Sequence, residues 1–420
     1  MPMIPDRHAL RSRRAGLALC LSGGGYRAAI YHLGAMLRLH EAGLLRRVER
    51  ISSVSGGSIV AAWYARAIIR SRSGSDAAQY AKWCDALDFR ATVLEPFRAI
   101  AATDIRTGPV VKSLFLNFVW PRFGAPALAR AYAKLITDAP LSALPDAPNF
   151  VFCATDLTFG VNFELSKQRV GDYQAGYLQA DDVDGRKPGD YAIALAVAAS
   201  SCFPPVFGPL RIDTRGLHFT HGAYDGADRD ALREAIDLSD GGVYDNLATE
   251  PVIKHADEIL VSDGGAPFPF RPGGHVVSRL LRYTAVIGNQ AVALRKRLFH
   301  EIRVAHDVRG TLWSIGRAGR AGTFGYSDQL VASTLSRVRT DLDRFTDAEF
   351  EVLVNHGYGS CAAALETGDH RDAALAAPPP AWPYPSWADE GGVEQALAGS
   401  HRRFAPSRWF ARRTRGENRR

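Results

Sequence analysis

The chain has 420 residues, 46% hydrophobic and 23% charged, a balance with ample apolar surface for a core and room for one large domain or two. Its formal charge of +7 suggests nucleic acid, yet residues 401–420 carry eight arginines against Glu417 and account for all of it. Five cysteines (Cys20, Cys84, Cys153, Cys202 and Cys361) form no Cys-x-x-Cys pair, which speaks against a zinc site or disulfide framework and fits a reducing compartment.

The basic segment 1–14 leads into an apolar run of only seven residues, Ala15–Leu21, short for a signal peptide. No window of about 18 uncharged apolar residues follows, so the expected location is cytoplasmic, with peripheral attachment to a membrane as a variant. Gly16–Leu21 reads as a buried strand. Tyr26–Ala42 reads as a helix with an apolar face at Ile30, Leu33, Met36, Leu37 and Leu39, stopped by Gly43. Arg50–Val54 reads as a second strand and "SGGSIVAAWYARAIIR" (55–70) as the next helix. A strand–helix–strand unit of this length predicts two parallel strands.

Further strands are expected at 149–157, 233–240 and 257–263, interleaved with helices at Tyr191–Ser200 and Val276–Phe299. The alternation predicts an α/β fold, a central mostly parallel sheet with helices on both faces. Thr346 and Glu349 stand in capping-box spacing and predict a helix to His356, stopped by Gly357. Five prolines within "APPPAWPYPSW" (377–387) exclude helix and central strand. The chain divides into the basic segment 1–14, a body at 15–366, a Pro-rich linker or wrapping arm at 367–400, and an Arg-rich tail at 401–420 read as disordered.

"LCLSGGGYRAAI" (20–31) places Gly23, Gly24 and Gly25 between the first strand and its helix. Glycine there bares N–H groups at a helix N-terminus, where negative charge is favoured. No Gly-Lys pair follows, so a P-loop fails. "GGGYRA" (23–28) fits a dinucleotide fingerprint, but that fold needs a carboxylate at the end of the second strand. This chain has "SVSGGS" (53–58) instead.

A serine in a strand-to-helix turn among small residues makes a nucleophile elbow. Ser55 is at its centre, Gly57 fits the last position of G-x-S-x-G, and Ser53 stands where the first glycine is usual. Alone, such a stretch is more often a plain loop. Parallel neighbouring strands, however, end on one sheet edge, so the Ser55 hydroxyl and the glycine amides should meet there. A nucleophile beside preorganised donors is an acyl-transfer site, and the donors then await a transient oxyanion.

The serine needs a base. Asp240–Gly242 and Asp263–Gly265 each follow an expected strand, and at least one of them is only a turn. None of the twelve histidines has a comparable setting, which predicts a Ser–Asp dyad rather than a Ser–His–Asp triad.

"GGGYR" (23–27), "SVSGG" (53–57) and "DGGVYDNLATEP" (240–251), in this order, resemble the three blocks of the patatin-like phospholipases, serine lipid acyl hydrolases with a Ser–Asp dyad. "FCATDLTFG" (152–160) and "AVAASSCFPPVFGP" (196–209) are also similar to family stretches, so the resemblance covers about residues 15–300. It implies that the body, 15–366, is a patatin-like acyl hydrolase domain. Ser55 would be the nucleophile and Asp240 the base, the longer run after Asp240 favouring it over Asp263. Gly23, Gly24 and Gly25 would form the oxyanion hole, supported by Arg27, Ser53, Gly57, Gly241 and Gly242.

The implied substrate is a phospholipid or lysophospholipid, with no cofactor and no metal. The alternative is a catalytically silent binding or effector protein on the same fold, acting through its basic tail. Arg27 would face a lipid phosphate or, the favoured role, tie down its loop through an ion pair. Cys20 and Cys202 read as core residues. The aromatic run at 110–124 suits interfacial insertion or an active-site cap, with a buried helix as an equal alternative to both together. The tail suits an anionic membrane surface ahead of nucleic acid, a solubilising end being the plain alternative. Oligomeric state is open.

Overall fold

The computed structural model describes residues 15–105, 124–179, 187–204, 207–215, 217–268, 276–319 and 323–401, with backbone alone at 276–278, 280 and 281. The basic segment 1–14, the aromatic run 110–124 apart from Gly124, and the Arg-rich tail apart from His401 lie outside the described residues.

The expected opening unit is present: β1 (Leu17–Leu21), α1 (Gly25–Glu41) and β2 (Val48–Ser53), followed by α2 (Gly56–Ser71). The later strands are β3 (Asn149–Asp156), β4 (Val161–Ser166), β5 (Arg169–Asp172), β6 (Gly176–Gln179), β7 (Leu210–Asp213), β8 (Ala235–Asp240), β9 (Glu258–Asp263) and β10 (Arg309–Ser314). Three further helices matter below: α3 (Ile193–Ser201), α4 (Val276–His306) and α5 (Asp347–Thr367).

The sheet runs β10-β9-β1-β2-β3 with all four pairings parallel. It continues antiparallel through β4, β5 and β6. Helices cover both faces, as the α/β reading expects. On β1 the alternation of a buried strand divides the core: Leu17, Leu19 and Leu21 join the large cluster with α1, α2 and α5. Ala18 and Cys20 face the other way, into a cluster with Ile259, Val261 and Phe299 of α4. All five cysteines are free and buried.

β4 to β7 had no counterpart in the sequence reading, because each has only four to six residues with polar side chains interleaved. Helix α5 carries the expected capping box, with the Glu349 N–H donating to Thr346 Oγ1 at 3.2 Å and the Thr346 N–H to Glu349 Oε2 at 2.8 Å. It does not stop at Gly357. A Cβ there would meet the Tyr31 carbonyl oxygen at 1.8 Å, and one on Gly34 would meet that of Val354 at 2.0 Å. The two glycines let α5 and α1 touch backbone to backbone, so Gly357 is a packing point inside a helix.

Residues 377–400 run along this body. The Arg38 guanidinium donates to the Pro378 carbonyl at 2.9 Å, Asn355 exchanges two hydrogen bonds with the Tyr384 backbone, and Trp382 stacks on Tyr326. Val393 and Leu397 are buried.

Candidate active site

β1 and β2 end level with one another, Leu21 paired with Ser53, so the glycine loop and the elbow leave the sheet side by side. The second half of the site arrives differently. β4 occupies one edge of β3 along Val151–Asp156. On the other edge β2 accompanies β3 only as far as the Ser53–Phe152 pair. β8 takes over that vacated edge in the opposite direction, and its last pair is Asp240 with Ala154. Two strand ends therefore meet head to head along one edge, with Cys153 spanning the gap. An antiparallel strand thus delivers Asp240 to the edge on which the parallel strands deliver Ser55.

Ser55 is the N-cap of α2 and has φ 51 and ψ −115. Positive φ in a non-glycine residue is strained, and strain of this kind costs on the order of 1–3 kcal/mol. Several neighbours hold it. The Ser55 N–H donates to Ser200 Oγ at 2.9 Å, and the Ser200 hydroxyl donates to the Cys153 carbonyl at 2.6 Å. Ser58 Oγ lies 2.8 Å from Ser200 Oγ and donates to Ser53 Oγ at 3.0 Å, so Ser53 is a buried link in a hydroxyl chain under the elbow. Gly56 and Gly57 admit no side chain: a Cβ would meet the carbonyl oxygens of Gly25 and Leu21, each at 2.1 Å.

The Ser55 side chain is set against the Asp240 carboxylate and favours its charged form. The Gly242 N–H donates to Asp240 Oδ1 at 2.7 Å and fixes the carboxylate. Asp240 is buried, and burial pushes its pKa up to about 7 against Gly242 and Ser55, which favour the charged form. Gly241 packs on the Cys153 carbonyl, which a Cβ would approach to 2.4 Å.

The three loop glycines differ in role. The Gly23 N–H is engaged by the Asn246 carbonyl at 3.1 Å. Gly24 and Gly25 have φ 143 and 61, and among the described residues no hydrogen bond engages their N–H groups or that of Gly56. A Cβ on either loop glycine would strike backbone, Gly264 O at 2.8 Å or Asp341 O at 2.6 Å.

Arg27 is buried and donates to the carbonyls of Val338 at 2.9 Å and Gly264 at 2.8 Å. It ties the glycine loop to two other segments from inside the body. His32 is turned to the Ser22 carbonyl and Ser262 Oγ, and His356 to the Ile315 carbonyl; burial lowers both to about 4. Among the described residues no group of three or more His, Cys, Asp or Glu side chains is placed to hold a metal ion. A cleft of about 650 Å³ lined by Arg215, His218, His221 and Arg233 lies at the N-terminal end of β8 and shares no residue with this site.

Ser200, Ser58 and Asn246 are site residues to which sequence reasoning gave no role. Ser200 is the last residue but one of an alanine-rich helix, and the pair Ser200–Ser201 at that apolar end is the available signal.

An α/β sheet with a strained serine at a strand-to-helix turn, beside bare glycine amides, has the build of a serine hydrolase. The patatin-like phospholipase family model matches residues 19–253, more than half of the chain, and the chain belongs to that family. The family is one of lipid hydrolases. Comparison with curated proteins gave no match. Among solved structures, human GIVD cytosolic phospholipase A2 is similar at 14% identity and TM-score 0.44, over 92% of this chain and 63% of that one. VipD from Legionella pneumophila is similar at 15% identity and TM-score 0.36, over 85% of this chain and 67% of that one. The type III effector protein ExoU is similar at 14% identity and TM-score 0.28, over 86% and 53%. The chain thus spans under two thirds of the phospholipase it matches. Among the described residues no helix is long and apolar enough to cross a membrane.

Proposed function

We propose that the protein is a serine lipid acyl hydrolase of phospholipase A or lysophospholipase type, working through a Ser55–Asp240 dyad. One observation carries this reading: a serine in strained backbone stands beside a buried carboxylate whose pKa burial raises to about 7. A base poised near neutrality takes a proton more readily than an ordinary aspartate and is still ionised at working pH.

Asp240 accepts the hydroxyl proton as Ser55 Oγ bonds to the ester carbonyl carbon. The resulting oxyanion is held by the N–H groups of Gly24 and Gly25, with that of Gly56 beside them. Gly23 serves as the loop's anchor. Collapse breaks the ester C–O bond, and Asp240 returns the proton to the departing alkoxide of the lipid. Water then attacks the acyl-serine, giving its proton to Asp240; the fatty acid leaves and Ser55 regains its hydrogen. Lipid substrates place the enzyme at a membrane surface, to which the arginines of 401–420 would add about 1 kcal/mol each near anionic lipid.

The test is incubation of the protein with phospholipids, lysophospholipids and triacylglycerols, with product identification, alongside labelling by a fluorophosphonate. Released fatty acid and a label on Ser55 support the reading. A label on Ser53 or Ser58, or binding without turnover, would favour the other serine or the silent effector.

A further inference from the structure

Helix α4 is 31 residues long and is apolar on two sides. Its inner side packs through Phe299, Val292 and Ile302, with Lys296 paired to Asp263 and Arg303 to Asp369. Its outer side shows Tyr283, Val286, Ile287, Leu294 and Leu298 to solvent, and Ile287 is 69% exposed. At 3.6 residues per turn these five fall within roughly 120° of the helix circumference, a stripe about 22 Å long. Exposed Arg279 and Arg297 lie within this arc, on the side of Val286, and Glu301, near its end, is the one acidic residue of the helix. Soluble proteins rarely leave this many large apolar side chains of one helix face uncovered.

The helix itself abuts the catalytic turn through its inner side. The Arg295 guanidinium lies over the Tyr244 ring at 4.9 Å, which seats α4 against the segment that follows Asp240. Two more apolar side chains stand exposed there: Val243, next to Gly242, and Phe203, next to Cys202, whose carbonyl accepts the Asp240 N–H at 3.3 Å.

We infer that the outer face of α4, with Val243 and Phe203, is the surface by which the protein sits on an anionic lipid bilayer. The inference rests on the lipid-hydrolase reading of the Ser55 site and adds the direction from which substrate arrives. An apolar helix face with cations set among its side chains suits the boundary between headgroups and acyl chains. A second copy of the chain seated on this face would cover Val243 and Phe203 and close the turn, whereas a bilayer there presents an ester to it.

All five native cysteines are buried, so a thiol probe can be placed selectively. Leu294→Cys, labelled with an environment-sensitive fluorophore in a Ser55→Ala background, is mixed with phosphatidylcholine vesicles containing roughly 30% phosphatidylglycerol. Emission should rise several-fold and shift to the blue. The same probe at exposed Ser71, the far end of the helix that starts beside Ser55, should not respond. A silent Leu294 probe on protein that nevertheless sediments with vesicles would overturn the inference, leaving attachment to another segment. So would a response that grows with protein concentration without lipid, the mark of a second copy.

With Ser55 intact, Ile287→Asp/Leu294→Asp should lower vesicle hydrolysis at least roughly tenfold and spare a soluble short-chain ester. Unchanged vesicle hydrolysis would equally reject the surface. If the probe responds while the parent protein cleaves no ester, the hydrolase reading fails and the surface stands.

Discussion

Asp240–Gly242 and Asp263–Gly265 are the same three residues after a strand, and they fold the same way locally. In each, the aspartate Oδ1 accepts the N–H of the glycine two residues on, at 2.7 Å in the first and 3.0 Å in the second. Their surroundings separate them. Asp263 Oδ2 also receives the Ser314 hydroxyl at 3.1 Å and the Lys296 ammonium at 2.6 Å. Asp240 has no salt bridge among the described residues and meets Ser55 instead. A buried carboxylate with a cation is spent on structure; one left with a hydroxyl and a single amide is raised to about 7 and can move a proton. The turn comes from three residues, and the chemistry from which strand edge the turn lands on.

The largest effect should separate the two aspartates directly. Asp240→Asn and Ser55→Ala should each lower kcat/KM by roughly 10³-fold or more, as removal of a base or nucleophile does, with the far-UV CD spectrum unchanged. Asp263→Asn should keep activity within about tenfold when the folded fraction is counted. Loss confined to Asp263→Asn would reverse the assignment. Gly24→Ala should follow at roughly 10²-fold in kcat, since it strains φ 143 and disturbs an oxyanion donor. An acyl-serine that forms as fast in that variant as in the parent would remove Gly24 from the site.

The pH dependence sharpens the comparison. A base with a folded pKa of about 7 makes kcat/KM climb tenfold per unit below that value and level off above it. Stability should run the other way. Unfolded aspartate titrates near 3.9, so between about 4 and 7 the native state holds one more proton than the unfolded chain. The contribution is fully present below that window and is lost as pH rises through it. Neutral Asp240→Asn lacks this loss and should be more stable than the parent at pH 8, by up to about 4 kcal/mol. Equal denaturant midpoints for the two at pH 6 and pH 8 would show that Asp240 is not held at a cost.

Much of this site was readable because its parts are local. The Gly23–Gly25 loop, Ser55, and the Asp-Gly-Gly turns each follow from a few neighbouring residues whose backbone leaves little choice. The strands that support them were legible where they are apolar, as in β1 and β9. What escaped is long-range. Nothing between 233 and 240 announces that β8 runs antiparallel, because that depends on the edge β2 vacates beyond Ser53. Gly357 reads as a helix stop until Gly34 lies against the same helix. Ser200 is 145 residues from Ser55, and only the folded chain brings its hydroxyl to the elbow amide. The two faces of α4 look alike in sequence, and only packing shows which one is left open.

The smallest effect tests the structural side of the pair. Lys296 is about one third exposed while Asp263 is buried, so the ion pair is partly screened and its removal is mild. Lys296→Met keeps the aliphatic stem on the core and deletes the charge. Asp263 keeps Ser314 and Gly265, and the helix keeps Phe299 as an anchor. Stability should fall by about 1 kcal/mol at pH 7, and kcat/KM on a soluble ester should stay within about threefold. In a double-mutant cycle with Asp263→Asn, the two losses should be less than additive, because each variant already breaks the same contact. Additive losses would mean that the 2.6 Å pair contributes nothing. Loss of hydrolysis in Lys296→Met with an intact fold would place the second turn in the catalytic machinery after all.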